Sequence, residues 1–114
     1  MGVTISGNTA TFTSDGTSVL TRAVVKTANL NTNGITDVII TGYDAIGYGA
    51  FSYLTNLSFV SISSSVTSIG DYAFLNCSAL LSFTVPADSQ LTSIGNFAFQ
   101  GCPATTSVTI PPLS

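Results

Sequence analysis

Histidine, glutamate and tryptophan are absent from these 114 residues, and charge of either sign is scarce. Only 6% of the residues are charged, against roughly 25–35% on a comfortably soluble surface. Without histidine or glutamate, the common general bases and metal ligands reduce to aspartate and cysteine. The five acidic residues, Asp15, Asp37, Asp44, Asp71 and Asp88, are scattered along the chain. Serine and threonine therefore have no candidate base to activate them. No catalytic residue, metal site or cofactor is expected. Arg22 and Lys26 are the only cations, and the net charge is −3. Nucleic acid requires clustered lysine and arginine, and an anionic membrane surface requires the same, so neither partner is expected. No apolar run approaches the roughly 17–25 residues of a membrane-spanning helix. The opening Met1-Gly2-Val3-Thr4-Ile5-Ser6 has neither the basic nor the continuous apolar region of a secretion signal. It matches the short myristoylation pattern through Gly2 and Ser6, a match that so brief a motif, or a cloning scar, also produces by chance. Gly47-Tyr48-Gly49 lacks the further glycine and the lysine of a phosphate-binding loop.

What the chain has instead is hydroxyls and hydrophobics. There are 16 serines, 17 threonines and a 45% hydrophobic share, a globular composition for one small domain with a marginal core. The organising feature is a phrase that recurs as Ala45-Ile46-Gly47-Tyr48-Gly49-Ala50-Phe51, Ser68-Ile69-Gly70-Asp71-Tyr72-Ala73-Phe74 and Ser93-Ile94-Gly95-Asn96-Phe97-Ala98-Phe99, at spacings of 23 and 25 residues. Repeats of this period imply units that stack because none can bury its apolar side alone.

Residues 2–13 alternate weakly around a Ser6-Gly7-Asn8 turn and read as a hairpin, with Ser14-Asp15-Gly16 as a second turn. Val19 to Lys26 is apolar enough for a strand, and Asn29 to Gly34 reads as a loop. Residues 1–34 lack the repeat phrase and are expected to form an N-terminal β-hairpin cap. From Ile35 to Ser114 the units align as about 3.5 repeats. Ile35, Leu57, Leu80 and Thr105 each open a short strand, with Val38/Ile40, Val60/Ile62, Phe83/Val85 and Val108/Ile110 pointing inward. Pro86 and Pro111 fall where a strand can end without losing a ladder bond. A second short segment carries Val66 and Ile69, or Leu91 and Ile94, and turns at the following glycine. Ala87-Asp88-Ser89-Gln90 lengthens the last of these connections. The Ala-Phe pair, followed three residues later by Leu54, Cys77 or Cys102, suggests one helical or 3₁₀ turn that buries Phe and Cys. The two cysteines thus share a repeat position. A stacked-rung disulfide is compatible with that position, although the preference of cysteine for a small-filler role in cores favours free thiols.

The pattern Ile-Gly-x-x-Ala-Phe-x-x-Cys-x-x-Leu-x-x-Val-x-Ile-Pro, carried most fully by Ile69, Gly70, Ala73, Phe74, Cys77, Leu80, Phe83, Val85 and Pro86, resembles the leucine-rich repeat variant of treponemal, Bacteroides and trichomonad cell-surface proteins. The resemblance covers about residues 35–111. It implies a curved right-handed solenoid of short parallel strands, mostly β with short 3₁₀ or helical turns. It also implies a non-enzymatic module at the cell surface or secreted, which binds proteins or a matrix or glycan ligand in adhesion.

Alternation sends a second set of residues outward. Asp37, Phe59, Ser82 and Ser107 form one expected ladder, and Ile39, Ser61, Thr84 and Thr109 another. This face is either a solvated sheet with cross-strand hydroxyl pairs or a recognition surface with Phe59 and Ile39 as apolar anchors. Hydroxyl ladders also suit ice or polysaccharide, against which the uneven rungs and mixed Ser/Thr weigh. Tyr48 and Tyr72, beside the turn, are interface candidates or rings packed on the next rung. Two glycosylation sequons, at Asn56 and Asn76, overlap core repeat positions. The alternative to a binding module is a component of a larger assembly, such as a virion or surface appendage, that self-associates through the solenoid ends.

Overall fold

The computed structural model describes residues 3–14, 19–30 and 34–102. Each repeat forms one rung of a three-sided β-solenoid. On the first side, strands β1 (Val3–Ser6), β2 (Thr9–Thr13), β4 (Asp37–Thr41), β6 (Phe59–Ile62) and β8 (Ser82–Thr84) form a five-stranded sheet in the order β1-β2-β4-β6-β8. On the second side, the two-residue strands β3 (Val19–Leu20), β5 (Ala45–Ile46), β7 (Ser68–Ile69) and β9 (Ser93–Ile94) form a four-stranded sheet. All pairings are parallel except that of β1 with β2.

Registers follow from side-chain alternation, because a slip of one residue would expose the whole inward set. Ala10, Val38, Val60 and Phe83 lie in one inward column, and Phe12, Ile40 and Ile62 in the next. Leu20, Ile46, Ile69 and Ile94 form the equivalent column of the second sheet. Val85 lies just past β8 and is half-buried. The expected inward Val108 and Ile110, together with Thr105, Ser107, Thr109 and Pro111, lie outside the described residues.

The third side is made of turns. Within one rung, Ala50 N–H donates to Gly47 O and Ser52 N–H to Gly49 O; Ala73 and Leu75 repeat this with Gly70 and Tyr72. These are the i→i+3 bonds that the spacing of three suggests. Between them runs a ladder that the spacing does not reveal. The N–H groups of Gly49, Phe51 and Tyr53 donate to the carbonyls of Asp71, Ala73 and Leu75 in the next rung, at 2.6–3.0 Å. Tyr72, Phe74 and Asn76 donate likewise to Asn96, Ala98 and Gln100. Consecutive residues thus bond alternately within the rung and along the stack. The outer donors of each set, Gly49 and Tyr53 or Tyr72 and Asn76, have φ between 58° and 63°.

The repeat glycine has a different role from the one expected of it. Gly70 does not make a left-handed turn; it lets adjacent rungs touch. A Cβ there would sit 2.9 Å from the Gly47 carbonyl carbon and the Tyr48 nitrogen, and at Gly95 one would sit 2.6 Å from the Gly70 carbonyl carbon. Real Cβ atoms do not approach backbone that closely.

The reading of Val19 to Lys26 as one strand is corrected. After Leu20 the chain turns into a helix, α1 (Arg22–Thr27), whose N-cap Thr21 accepts a hydrogen bond from Val24 N–H through its side chain. A threonine cap satisfies an otherwise orphaned donor, and the helix still delivers Val25, Ala28 and Leu30 to the core. By the register of β3 with β5, α1 takes the place that the turn segment holds in later rungs, and Val25 the place of Phe51.

The core is one continuous cluster from Ala10 to Cys102, with no buried polar side chain among the described residues. Phe51, Phe74 and Phe99 form its spine, with centroids 5.2 and 5.4 Å apart and ring planes within 6° of parallel. Phe12 and Phe83 meet the spine edge-on. Phe74 has rings on both sides, so Phe74→Ala removes contacts to two rungs and leaves a cavity. We expect a loss of about 3–5 kcal/mol, read from the urea midpoint, with Phe74→Leu costing less than half as much. Gly70→Ala should lower stability by about 1–3 kcal/mol through overpacking, read from the same urea midpoint, because the added carbon would meet the Gly47–Tyr48 backbone of the adjacent rung.

Candidate functional site

The outward positions of the first sheet form two columns. One runs through Thr9, Asp37, Phe59 and Ser82, and the other through Thr11, Ile39, Ser61 and Thr84. Six sequence-predicted residues, Asp37, Ile39, Phe59, Ser61, Ser82 and Thr84, therefore share one face. Phe59 is 48% and Ile39 39% exposed. They sit on adjacent strands, two residues apart in register, so the apolar side chains are diagonal neighbours within reach of one partner group. Asp37 is half-buried, and its carboxylate accepts a 2.8 Å hydrogen bond from the Thr36 hydroxyl. Around these anchors are hydroxyls, with Thr41 Oγ1 bonded to Thr13 Oγ1 and to Phe12 O. The face offers two apolar anchors, one fixed carboxylate and many neutral donors and acceptors.

Tyr48 and Tyr72 are on another side, beside the turns. Their rings lie 5.4 Å apart, and Phe97 extends the row with its ring 5.5 Å from Tyr72 and stacked on it. Tyr48 and Phe97 are exposed and Tyr72 is half-buried. Tyr72 and Phe97 align with Gly49 and share its left-handed backbone. Sequence reasoning passed over Phe97, Tyr53 and Leu81, all more than half or half exposed. Phe97 was legible in principle, since it occupies the column of Tyr72 one repeat later. Leu81 had no such signal, because it follows the buried Leu80.

Many hydroxyls have internal roles. Thr67 and Thr92 each donate through Oγ1 to a carbonyl of the preceding rung, Asp44 O and Thr67 O. Ser65 donates to Tyr43 O at 2.8 Å. The cysteines act similarly. Both are buried free thiols. Cys77 Sγ donates to Phe51 O and Cys102 Sγ to Phe74 O, each at 3.1 Å. The repeat cysteine is thus a small core filler that also bonds a carbonyl of the rung below.

The Cys102 thiol beside it, and then burial, push the Cys77 thiol far above its ordinary value of 9.0. An acid whose pKa is raised on folding stabilises the native state below the unfolded pKa and loses that contribution as pH rises. Above about pH 9 the unfolded thiol ionises while the folded one stays protonated, so stability should fall by about 1.4 kcal/mol per pH unit. Urea titrations at about pH 8, 9 and 10 check the slope, which Cys77→Ala should reduce. Iodoacetamide should leave both thiols unmodified in the native protein and alkylate both in urea, as read by mass.

Among the described residues no helix is long and apolar enough to cross a membrane. No group of three or more metal-ligating side chains occurs among them. No curated protein and no solved structure matches the chain. The model of the BspA-type leucine-rich repeat region matches residues 10–113 in six copies. That match starts within β2, where the parallel stacking begins. Repeat period, parallel rungs and family match agree, and the chain belongs to the BspA-type leucine-rich repeat family, a non-catalytic repeat type that serves as a protein-interaction scaffold.

Proposed function

We propose that this chain is a non-enzymatic adhesion module that binds a protein or matrix ligand through the outer face of its five-stranded sheet. The observation that carries this reading is the exposed Phe59–Ile39 pair, set among hydroxyls on a surface whose backbone is fixed by parallel pairing on both sides. Large apolar groups in a rigid neutral surround are what interface anchors consist of. The near absence of charge favours a partner surface that is itself neutral and polar around an apolar protrusion, because no charged patch here steers association. In this reading the segment before Ile35, which holds β1 and the first rung, closes the N-terminal end of the stack. Antiparallel β1 along the edge of the sheet supports that role, since it covers β2, whose edge would otherwise pair with another chain. The family likeness stated above supports a cell-surface or secreted setting for this reading.

The test is binding to a panel of purified extracellular-matrix proteins and glycans by biolayer interferometry. At least one saturable interaction is expected. The double substitution Phe59→Ser, Ile39→Ser should weaken it at least tenfold while leaving the melting temperature within a few degrees, because both side chains are exposed. Saturable binding that the double substitution leaves unchanged would assign recognition to another surface.

A further inference from the structure

β1 covers the edge of β2, and in doing so it becomes the edge of the sheet itself. Among the described residues no strand pairs with its other side. Which groups face that side follows from the hairpin. Gly7, with φ 60°, and Asn8 make a two-residue loop between Ser6 and Thr9. Such a loop makes its flanking residues a hydrogen-bonded pair, and bonded pairs alternate with non-bonded ones along an antiparallel ladder. Ser6 with Thr9 and Thr4 with Thr11 therefore bond across the hairpin. The N–H and C=O groups of Val3 and Ile5 point instead to the open edge. The other neighbour of β2 agrees, since Asn8 O accepts from Asp37 N–H. With a period of two, that bond turns the backbone groups of Ala10 and Phe12 toward β4 and leaves those of Thr9 and Thr11 for β1.

The devices that ordinarily blunt an edge are missing here. No charged residue and no proline lies in β1 or β2, and their register runs without a bulge. Ile5 lies opposite the buried Ala10, and so on the core side, yet it is 41% exposed. Val3, on the same side opposite Phe12, packs against the core. The edge thus combines unpaired backbone groups with an apolar side chain that its own chain does not cover.

We infer that this edge pairs with the same edge of a second copy of the chain, antiparallel and about a two-fold axis. The groups that face outward set the register. Val3 opposes the partner's Ile5, and Ile5 the partner's Val3, each as a hydrogen-bonded pair, so every edge-facing group of both residues is used. Thr4 then falls on the axis opposite the partner's Thr4, a non-bonded pair whose side chains lie close together on the outer face. On the core side each Ile5 gains an apolar neighbour in place of solvent. The same patch serves on both copies, so the contact is isologous and closes at two. It joins two five-stranded sheets into one. The axis is perpendicular to that sheet, so the outer faces of both copies point the same way. This contact lies at the end of the stack and does not depend on what the Phe59–Ile39 face binds.

The test is light scattering of the full chain across a wide concentration range, with folding checked by circular dichroism. A concentration-dependent rise from monomer to dimer mass is expected. Ile5→Pro removes a donor that faces the open edge and none that bonds β2, and it should hold the chain as a monomer. Ile5→Lys places a charge on the core side of the edge and should weaken the dimer at least tenfold; it serves if the proline variant fails to fold. Thr4→Cys should give a covalent dimer on a non-reducing gel after treatment with glutathione disulfide, which is reduced to two thiols as the new bond forms. Thr11→Cys should not, because three strand spacings hold that position about 14 Å from its counterpart. Both native cysteines are buried and do not compete. Phe59→Ser with Ile39→Ser should leave the dimer intact, so failure here and failure of the sheet-face reading are separate results. The inference is overturned by a monomer at every concentration, or by a dimer that both Ile5 variants leave unchanged. Equal crosslinking through Thr11→Cys overturns it as well, as do open-ended oligomers, which a two-fold contact does not form.

Discussion

The rung-to-rung hydrogen-bond ladder on the turn side is the constraint from which most of the structure follows. Two sheets fix the rise of the stack at about 4.8 Å, and the third side must keep the same rise or the rungs splay. A turn can do so only if alternate N–H groups leave the turn and point along the stack. That alternation places left-handed residues at the first and third donors, as at Tyr72 and Asn76. It also brings backbone so close that Gly70 and Gly95 can carry no side chain. The phenylalanine between the left-handed residues is then repeated at the rung spacing, and rings held 5.2–5.4 Å apart and parallel are a consequence of that repetition.

The architecture was legible because those demands recur. Glycine, alanine and phenylalanine return at fixed spacing, and the inward columns Val38–Val60–Phe83 and Ile46–Ile69–Ile94 could be aligned by period alone. The roles within the phrase were less legible. Glycine reads as a turn former because that is its commonest use, yet here it is required by a neighbour some 23 residues away in sequence. The cysteine reads as a filler, and its bond to a carbonyl of the rung below depends on the same distant stacking. Local signals do not encode contacts made between rungs.

The first rung shows where the period stops informing. Val19 to Lys26 has the apolar content of a strand, but a strand continued past Leu20 would carry the chain beyond the corner. A helix capped by Thr21 turns the corner and still places Val25 where later rungs place a phenylalanine. The smaller side chain is accompanied by Phe12, which meets Phe51 edge-on at 5.6 Å. This substitution of helix for turn also leaves the first row of ladder carbonyls facing a helix instead of a rung. The candidate sheet face was legible, because strand alternation identifies outward residues one by one.

Energetics separate the exposed aromatics into two kinds. A non-glycine residue held at φ near 60° costs of order 1–3 kcal/mol, and Tyr72 and Phe97 both bear it where Gly49 does not. Their ring contact is worth about 0.5–1.5 kcal/mol beyond buried area, and Tyr72 has a second ring contact in Tyr48. Stacking along the column therefore offsets much of the local strain, and these rings can be understood as part of the scaffold. Phe59 and Ile39 are different. They lie in regular strands, carry no strain for a contact to offset, and have no aromatic partner on their face among the ring contacts of the described residues. Their neighbours in the same columns are threonine, serine and aspartate, any of which the strand would accept in their place. Nothing in the stacking of rungs requires an exposed phenylalanine at 59 or an isoleucine at 39, and that freedom is what directs the functional reading to this face.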